Sequence, residues 1–417
     1  MVGLTLKHGL CEESVYSFIQ YSSIMCQRCR DLSDIQEACR IVKLAMSLMR
    51  RFSSPEIVPK VFACYYGFVA VHSEPLRLCA DNLRRGFDGE NSFLCCSVLV
   101  PLFLFLMRDP SAPFLVGISG AGALNFAFFN SVFLVRNALL SGGNLLYLRK
   151  EVDYHLDIMA RFKHTVFKDP LLAFRETISK LTDKAQFTSL DEDVSTEKLT
   201  FDSMNTQRRN AISFFNTVLQ SFWLGHSDRC EHYAKKALNL KLLGSHNFLL
   251  VLFYSSLNAL RVYRKGKKHI TQLSNLRLIC KKSIDEMSLF ATLSPSNYCG
   301  KVLLLEAELH SLENKEEEAK FIYSDAISAF SSTGYVHEQG LACELAGFHY
   351  IRINQPDTAL DFFLQAHDCY VQWGSKMKVE FISQQISRLT LLQKPERVLV
   401  ESEFCLVSPK GPSFLTP

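Results

Sequence analysis

Hydrophobic positions along this chain recur at helical spacing, and four stretches can be written over one another without gaps: residues 33–46, 225–238, 314–327 and 354–367. In each, a Gly, Ser or Asn turn residue precedes a helix. The positions i, i+4 and i+7 of its packing face read Ala38/Val42/Ala45, Cys230/Ala234/Ala237, Ala319/Tyr323/Ala326 and Ala359/Phe363/Ala366. Small residues let a neighbouring helix approach, and a bulky one between them fills the neighbour's groove. Any single amphipathic helix can carry such a face. Four copies, each behind a short turn, predict a repeat.

The arrangement is that of the second helix of a tetratricopeptide-like hairpin, and it predicts an all-α fold, a right-handed tetratricopeptide-like solenoid of stacked helix hairpins. Gly347 stands upstream of the last copy, where the first helix of a hairpin needs no side chain if its partner is to come close. Ala319 and Ala359 are one repeat apart, roughly 40 residues, within the usual range for helical solenoids. The interval from Cys230 to Ala319 is about twice that. It has room for one more, degenerate hairpin, with helices over 248–263 and 273–290 and the basic connection Arg264-Lys265-Gly266-Lys267-Lys268 between them. Two helical halves follow. An irregular one spans 1–182, a polar stretch covers 183–210, the better repeats occupy 211–390, and a proline-bearing tail predicted to be disordered covers 391–417.

Two apolar runs, 93–107 and 114–135, interrupt this pattern. The second approaches the ~20 residues that span a bilayer. It also contains Ser119, Asn125 and Ser131, and an Asn in hydrocarbon is costly. A membrane anchor through 93–135 and a buried helix over 121–140 are the competing readings, and the polar residues favour the buried helix.

With 417 residues, 48% of them hydrophobic, the chain is long enough to bury a continuous core. The net charge of +4, with both signs mixed, is too small to predict nucleic acid as a partner. The Arg264 to Lys268 cluster has no interleaved aromatics for base stacking and reads as a solvated connection. The 14 cysteines are spread over helical segments without a framework, and the first residues lack a signal peptide's apolar run, so a reducing, cytoplasmic setting is expected. Cys26 and Cys29 have no second ligand pair at zinc spacing, and His226, Cys230 and His232 diverge around their helix, so no metal is expected. The Gly-rich segment 117–122 lacks the Lys-Ser or Lys-Thr of a phosphate loop. Kinase, hydrolase-elbow and zinc-protease motifs are missing too, so neither an enzyme nor a cofactor is expected. The acidic pairs Glu12-Glu13 and Glu316-Glu317-Glu318 fall at helix starts, where they complement the helix dipole.

The segment 319–379 carries Tyr323-x-x-Ala326-Ile327, then Gly334-Tyr335-Val336-His337-Glu338-Gln339-Gly340-Leu341-Ala342-x-Glu344-Leu345-Ala346, then Cys369-Tyr370-Val371-Gln372-Trp373-Gly374-Ser375-Lys376-x-Lys378-Val379. These motifs resemble the helical-repeat region of large multidomain sensor histidine kinases, in which a protein-kinase-like domain and an AAA-type ATPase precede the repeats and GAF and histidine-kinase modules follow. Weaker similarity reaches from about residue 10 to 386, and 89–116 looks like an insertion, either a translated intron or a hydrophobic hairpin. The resemblance implies the repeat fold and places Trp373 among its structural contacts. It carries over no catalytic residue, because the family's catalysis lies in modules with no counterpart here.

Together these features lead to the expectation of a non-enzymatic interaction scaffold in signal transduction, holding a protein or peptide on a concave face built from 214–222, 248–260 and 301–309. A fragment of a sensor kinase, and a membrane-associated protein anchored by 93–135, are the alternatives.

Overall fold

A computed structural model describes residues 2–28, 31–52, 57–88, 118–183, 204–240, 245–266 and 273–392. Among them the fold is all-helical, with no strand. The insertion at 89–116, the first apolar run, most of the polar stretch and the tail from 393 lie outside the described residues, as do Cys29, Gly117, Lys267 and Lys268.

The first half comprises α1 (Val2–His8), α2 (Glu12–Arg28), α3 (Leu32–Met49), α4 (Val58–Cys64), a π-helical turn and a 3-10 turn through His72, then α5 (Leu76–Asp88), α6 (Ile118–Leu140), α7 (Leu145–Arg161) and α8 (Lys168–Thr182). The second comprises α9 (Met204–Trp223), α10 (Ser227–Asn239), α11 (Ser245–Arg264), α12 (Leu273–Ala291), α13 (Pro295–Leu312), α14 (Glu316–Thr333), α15 (Val336–Arg352), α16 (Pro356–Trp373) and α17 (Lys376–Leu392). Helix α9 begins at Met204, inside the stretch expected to be a loop.

Local chemistry explains the punctuation. Pro295 and Pro356 open α13 and α16, where the missing N–H costs nothing. Gly334 and Gly374 close α14 and α16 with φ of 76° and 87°, a left-handed region that a side chain would strain. Asn314 and Asn354 both turn the chain at φ 58°, a conformation Asn tolerates better than other residues with a side chain. The Asn144 side chain caps α7 by accepting from the backbone N–H groups of Leu146 and Tyr147, both at 3.1 Å.

Helices adjacent in sequence pack as neighbours: α2 on α3, α9 on α10, α13 on α14 and α15 on α16. From α9 onward the odd-numbered helices also touch the next odd one, α9 to α11 to α13 to α15. The chain then returns on itself, because α17 meets α8 and α11 meets α2. One apolar cluster therefore runs from Val15 to Leu389 through both halves.

Helix α6 is the expected buried helix. Phe128, Leu134 and Val135 are at most 1% exposed, and so are Asn130, Ser131 and Asn137. Two of its polar side chains tie it to the preceding segment: Asn130 donates to the Pro59 carbonyl at 3.1 Å and Arg136 to the Gly67 carbonyl at 2.7 Å. Among the described residues no helix is long and apolar enough to cross a membrane.

Candidate functional site

The repeat-contact positions all lie in the packed interior. Ala38, Val42, Ala45, Cys230, Ala237, Ala319, Tyr323, Ala326, Ala359 and Ala366 are 0% exposed, and Ala234, Phe363 and Trp373 nearly so. A Cβ at Gly347 would sit 2.6 Å from the Phe363 ring, so the glycine is required by the close approach of α15 and α16. Gly340 plays the same part against Tyr370, and Gly300, on α13, against Phe330 of α14.

The proposed concave surface is not open. Phe215, Val218, Leu219 and Phe222 on α9, Leu249 to Tyr254 on α11, and Leu304 and Leu305 on α13 are buried. The reason is tertiary: the first half of the chain covers the ends of the odd-numbered helices. The Asn297 side chain, at the start of α13, donates to the backbone carbonyls of Val71 at 3.0 Å and Glu74 at 2.8 Å, and its amide oxygen accepts from the Leu76 N–H at 3.2 Å. Asn144 donates to the Gln372 carbonyl at 2.9 Å, and Ser375 to the Leu181 carbonyl at 3.1 Å. Between these clamps the rings of Trp223, His337 and Trp373 meet at tilted angles, with the two indole centroids 4.8 Å apart. They line a cavity of about 10 Å³ with Leu139, Leu140, Thr177, Leu181 and Leu219. That is room for about one water and not for a metabolite. His337 Nδ1 and Trp373 Nε1 have no protein partner there.

A row of ion pairs joins α11 to α13, α13 to α15 and α15 to α17. Arg264 of α11 pairs with Glu308 of α13. Lys301 of α13 lies 2.6 Å from Glu338 of α15, and Glu344 of α15 lies 2.6 Å from Lys378 of α17. Each carboxylate also accepts a tyrosine hydroxyl: Tyr323 on Glu308, Tyr254 on Glu338 at 3.1 Å and Tyr370 on Glu344 at 2.6 Å. Burial pushes the Glu338 carboxyl up and the Lys301 and Lys378 ammoniums down, and the opposite charges oppose those shifts. Burial, with Lys301 beside it, likewise holds His337 well below the usual histidine range, so its ring is neutral.

Sequence reasoning did not single out Lys301, Glu308, Glu338, Glu344 or Asn297. Charged residues on a helix read as solvated until the partner helix is known. Register gave no signal either, because Glu338 and Lys378 occupy equivalent positions on α15 and α17 but pair with Lys301 and Glu344 rather than with each other. The basic connection also needs correcting at its first residue: the Arg264 side chain is only 18% exposed and turns inward onto Glu308, while Lys265 remains exposed. His226 and His232 are exposed and Cys230 is buried, so these three do not converge. Among the described residues no group of His, Cys, Asp or Glu could hold a metal ion.

No family model matches the chain, and no curated protein matches it.

Proposed function

We propose that the protein is a tetratricopeptide-like helical-repeat scaffold that binds another protein without catalysing a reaction on it. The observation that carries this reading is the register of the last two hairpins. Gly300, Asn314, Ala319, Tyr323, Ala326, Phe330 and Gly334 of α13 and α14 recur in order as Gly340, Asn354, Ala359, Phe363, Ala366, Tyr370 and Gly374 of α15 and α16. The same turn and contact roles recur with them. A module repeated with its packing intact builds surface area and leaves its outer positions free to vary. The odd-helix grooves are filled by the chain's own first half, so the partner docks on the outer faces and on the turns that follow the odd helices, where Phe321 is 74% exposed. A cytoplasmic setting belongs to the same proposal.

The resemblance to sensor-kinase repeats fits this assignment, because several residues of its signature have a packing task. Tyr370 holds Glu344, Trp373 packs against Trp223, Gly374 closes α16, Ser375 reaches α8 and Lys378 pairs with Glu344. A piece of a larger kinase is the second reading, and in-frame ATPase or histidine-kinase coding sequence beside this one would establish it.

The scaffold reading is tested by cross-linking mass spectrometry of the full chain in cells, comparing the natural protein with Phe321→Ser and Ala359→Arg. A partner cross-linked to α14 and α16 and lost with either variant supports the proposal. Partners that persist when Ala359→Arg has disrupted the stack overturn it.

A further inference from the structure

The ends of α11, α13 and α15 gather a cluster in which only the Arg264 to Glu308 pair belongs to the helix packing described above. Arg264 is the last residue of α11, Ser311 lies in the last turn of α13, and His349 and Arg352 lie in the last turn of α15. Both guanidiniums donate to one hydroxyl: Arg352 Nη2 is 2.9 Å and Arg264 Nη2 3.4 Å from Ser311 Oγ. That oxygen already accepts twice, so its hydrogen goes to His349 Nδ1 at 2.9 Å, leaving His349 Nε2 as the N–H. His349 is 1% exposed, and its Nε2 has no protein partner.

Two like charges converging on a neutral oxygen need an anion between them. Glu308 serves Arg264 and takes the Tyr323 hydroxyl as well. The neighbouring carboxylates are committed elsewhere: Glu313 to Arg277 at 3.2 Å and Lys315 at 2.8 Å, and Glu317 to Lys320 at 2.7 Å. Among the described residues no carboxylate lies within ion-pairing distance of Arg352. One positive charge is therefore in excess. It is reachable as well, because Arg352 is an exposed residue while Arg264 and Ser311 form the wall behind it.

We propose that Arg352 and Arg264, set by Ser311, form an oxyanion-binding site for a phosphate or carboxylate group, either free or carried by a partner chain. A guanidinium offers parallel N–H donors that match two oxygens of such a group, and the largely buried Arg264 behind Arg352 adds a second, less solvated donor. Burial first and Arg264 second lower the Arg352 pKa, with Glu308 opposing them in part, and a bound anion would relieve what remains.

The site is independent of the scaffold assignment and can fail without it. Isothermal titration of the full chain at fixed ionic strength would use inorganic phosphate in one arm and a peptide ending in two glutamates in the other. Phosphate binding identifies a phosphoryl or free-phosphate ligand, and peptide binding identifies a carboxylate of a partner. Arg352→Gln leaves the Arg264 to Glu308 pair in place, so the fold should persist by circular dichroism while affinity falls at least about tenfold. Arg352→Lys, which keeps the charge but loses the paired donors, should recover only part of it. Absence of saturable binding in both arms, or unchanged affinity in Arg352→Gln, overturns the proposal.

Discussion

Replacing Lys301 by Met tests whether the ion pairs between odd-numbered helices hold the second half together. The ammonium is 2% exposed, lies 2.6 Å from Glu338, donates to the Asn297 carbonyl at 2.9 Å and sits 4.4 Å from the centre of the Tyr335 ring. Met fills much of the same volume, so the loss is electrostatic rather than a cavity. Breaking one partner of a buried pair costs about 3–5 kcal/mol, because the other charge stays buried without compensation. The double variant Lys301→Met/Glu338→Gln removes both charges and should recover much of that loss. Urea unfolding of the four proteins gives the coupling directly: the two single losses should exceed the double loss by about 2 kcal/mol or more.

The pH dependence supplies a second readout. Burial already raises the folded Glu338 pKa against the pull of Lys301, and removing Lys301 raises it further. A raised carboxyl pKa means that the folded state binds more protons than the unfolded one. Its contribution to stability is complete below the unfolded carboxyl value and disappears as pH rises through the folded value. The Lys301→Met variant should therefore be more stable at pH 5 than at pH 8, with a slope of up to about 1.4 kcal/mol per pH unit for one proton. Additive single losses, or a Lys301→Met protein whose stability does not change with pH, would refute the argument.

Gly347→Ala should destabilise by about 1–3 kcal/mol through the contact with Phe363, less about 1 kcal/mol of helix propensity gained. Adding Phe363→Leu should relieve it, and Gly3→Ala, where nothing lies within 4 Å, should not destabilise. Asn297→Ala removes the clamp on Val71, Glu74 and Leu76 and the acceptor of the Tyr335 hydroxyl; by chemical denaturation the loss should be about 3 kcal/mol. Ala359→Arg places a guanidinium at a position that is 0% exposed, so amide exchange in α15, α16 and α17 should rise to that of the unfolded chain, with α2 and α3 less affected.

The helices and their contact faces were legible because both depend on local sequence. Ala319, Tyr323 and Ala326 share a face at helical spacing whatever lies opposite. Gly347 was legible too, since a glycine in a helix interior is unfavourable unless something must come close. The apolar stretch at 121–140 was assigned to the interior because its Asn and Ser residues need protein partners, and Asn130 and Ser131 have them. The burial of the residues named for the groove was not legible, for a physical reason. Apolar side chains on the first helices of hairpins look alike whether they face a peptide or the rest of the chain, and only the return of the first half across α9, α11 and α13 decides which.

What the sequence by itself determined is the repeat helices, the turns at Asn314 and Asn354 that precede two of them, and the small-residue faces by which they pack, because each follows from spacing or backbone conformation within a few residues. Tertiary structure alone decided which charges are buried and which edge is exposed. Asn297 reaches Val71, Lys301 meets Glu338 and Arg352 shares Ser311 with Arg264 only after distant helices are brought side by side. A charge's free energy depends on the partners and the dielectric around it, and neither is a local property of the chain.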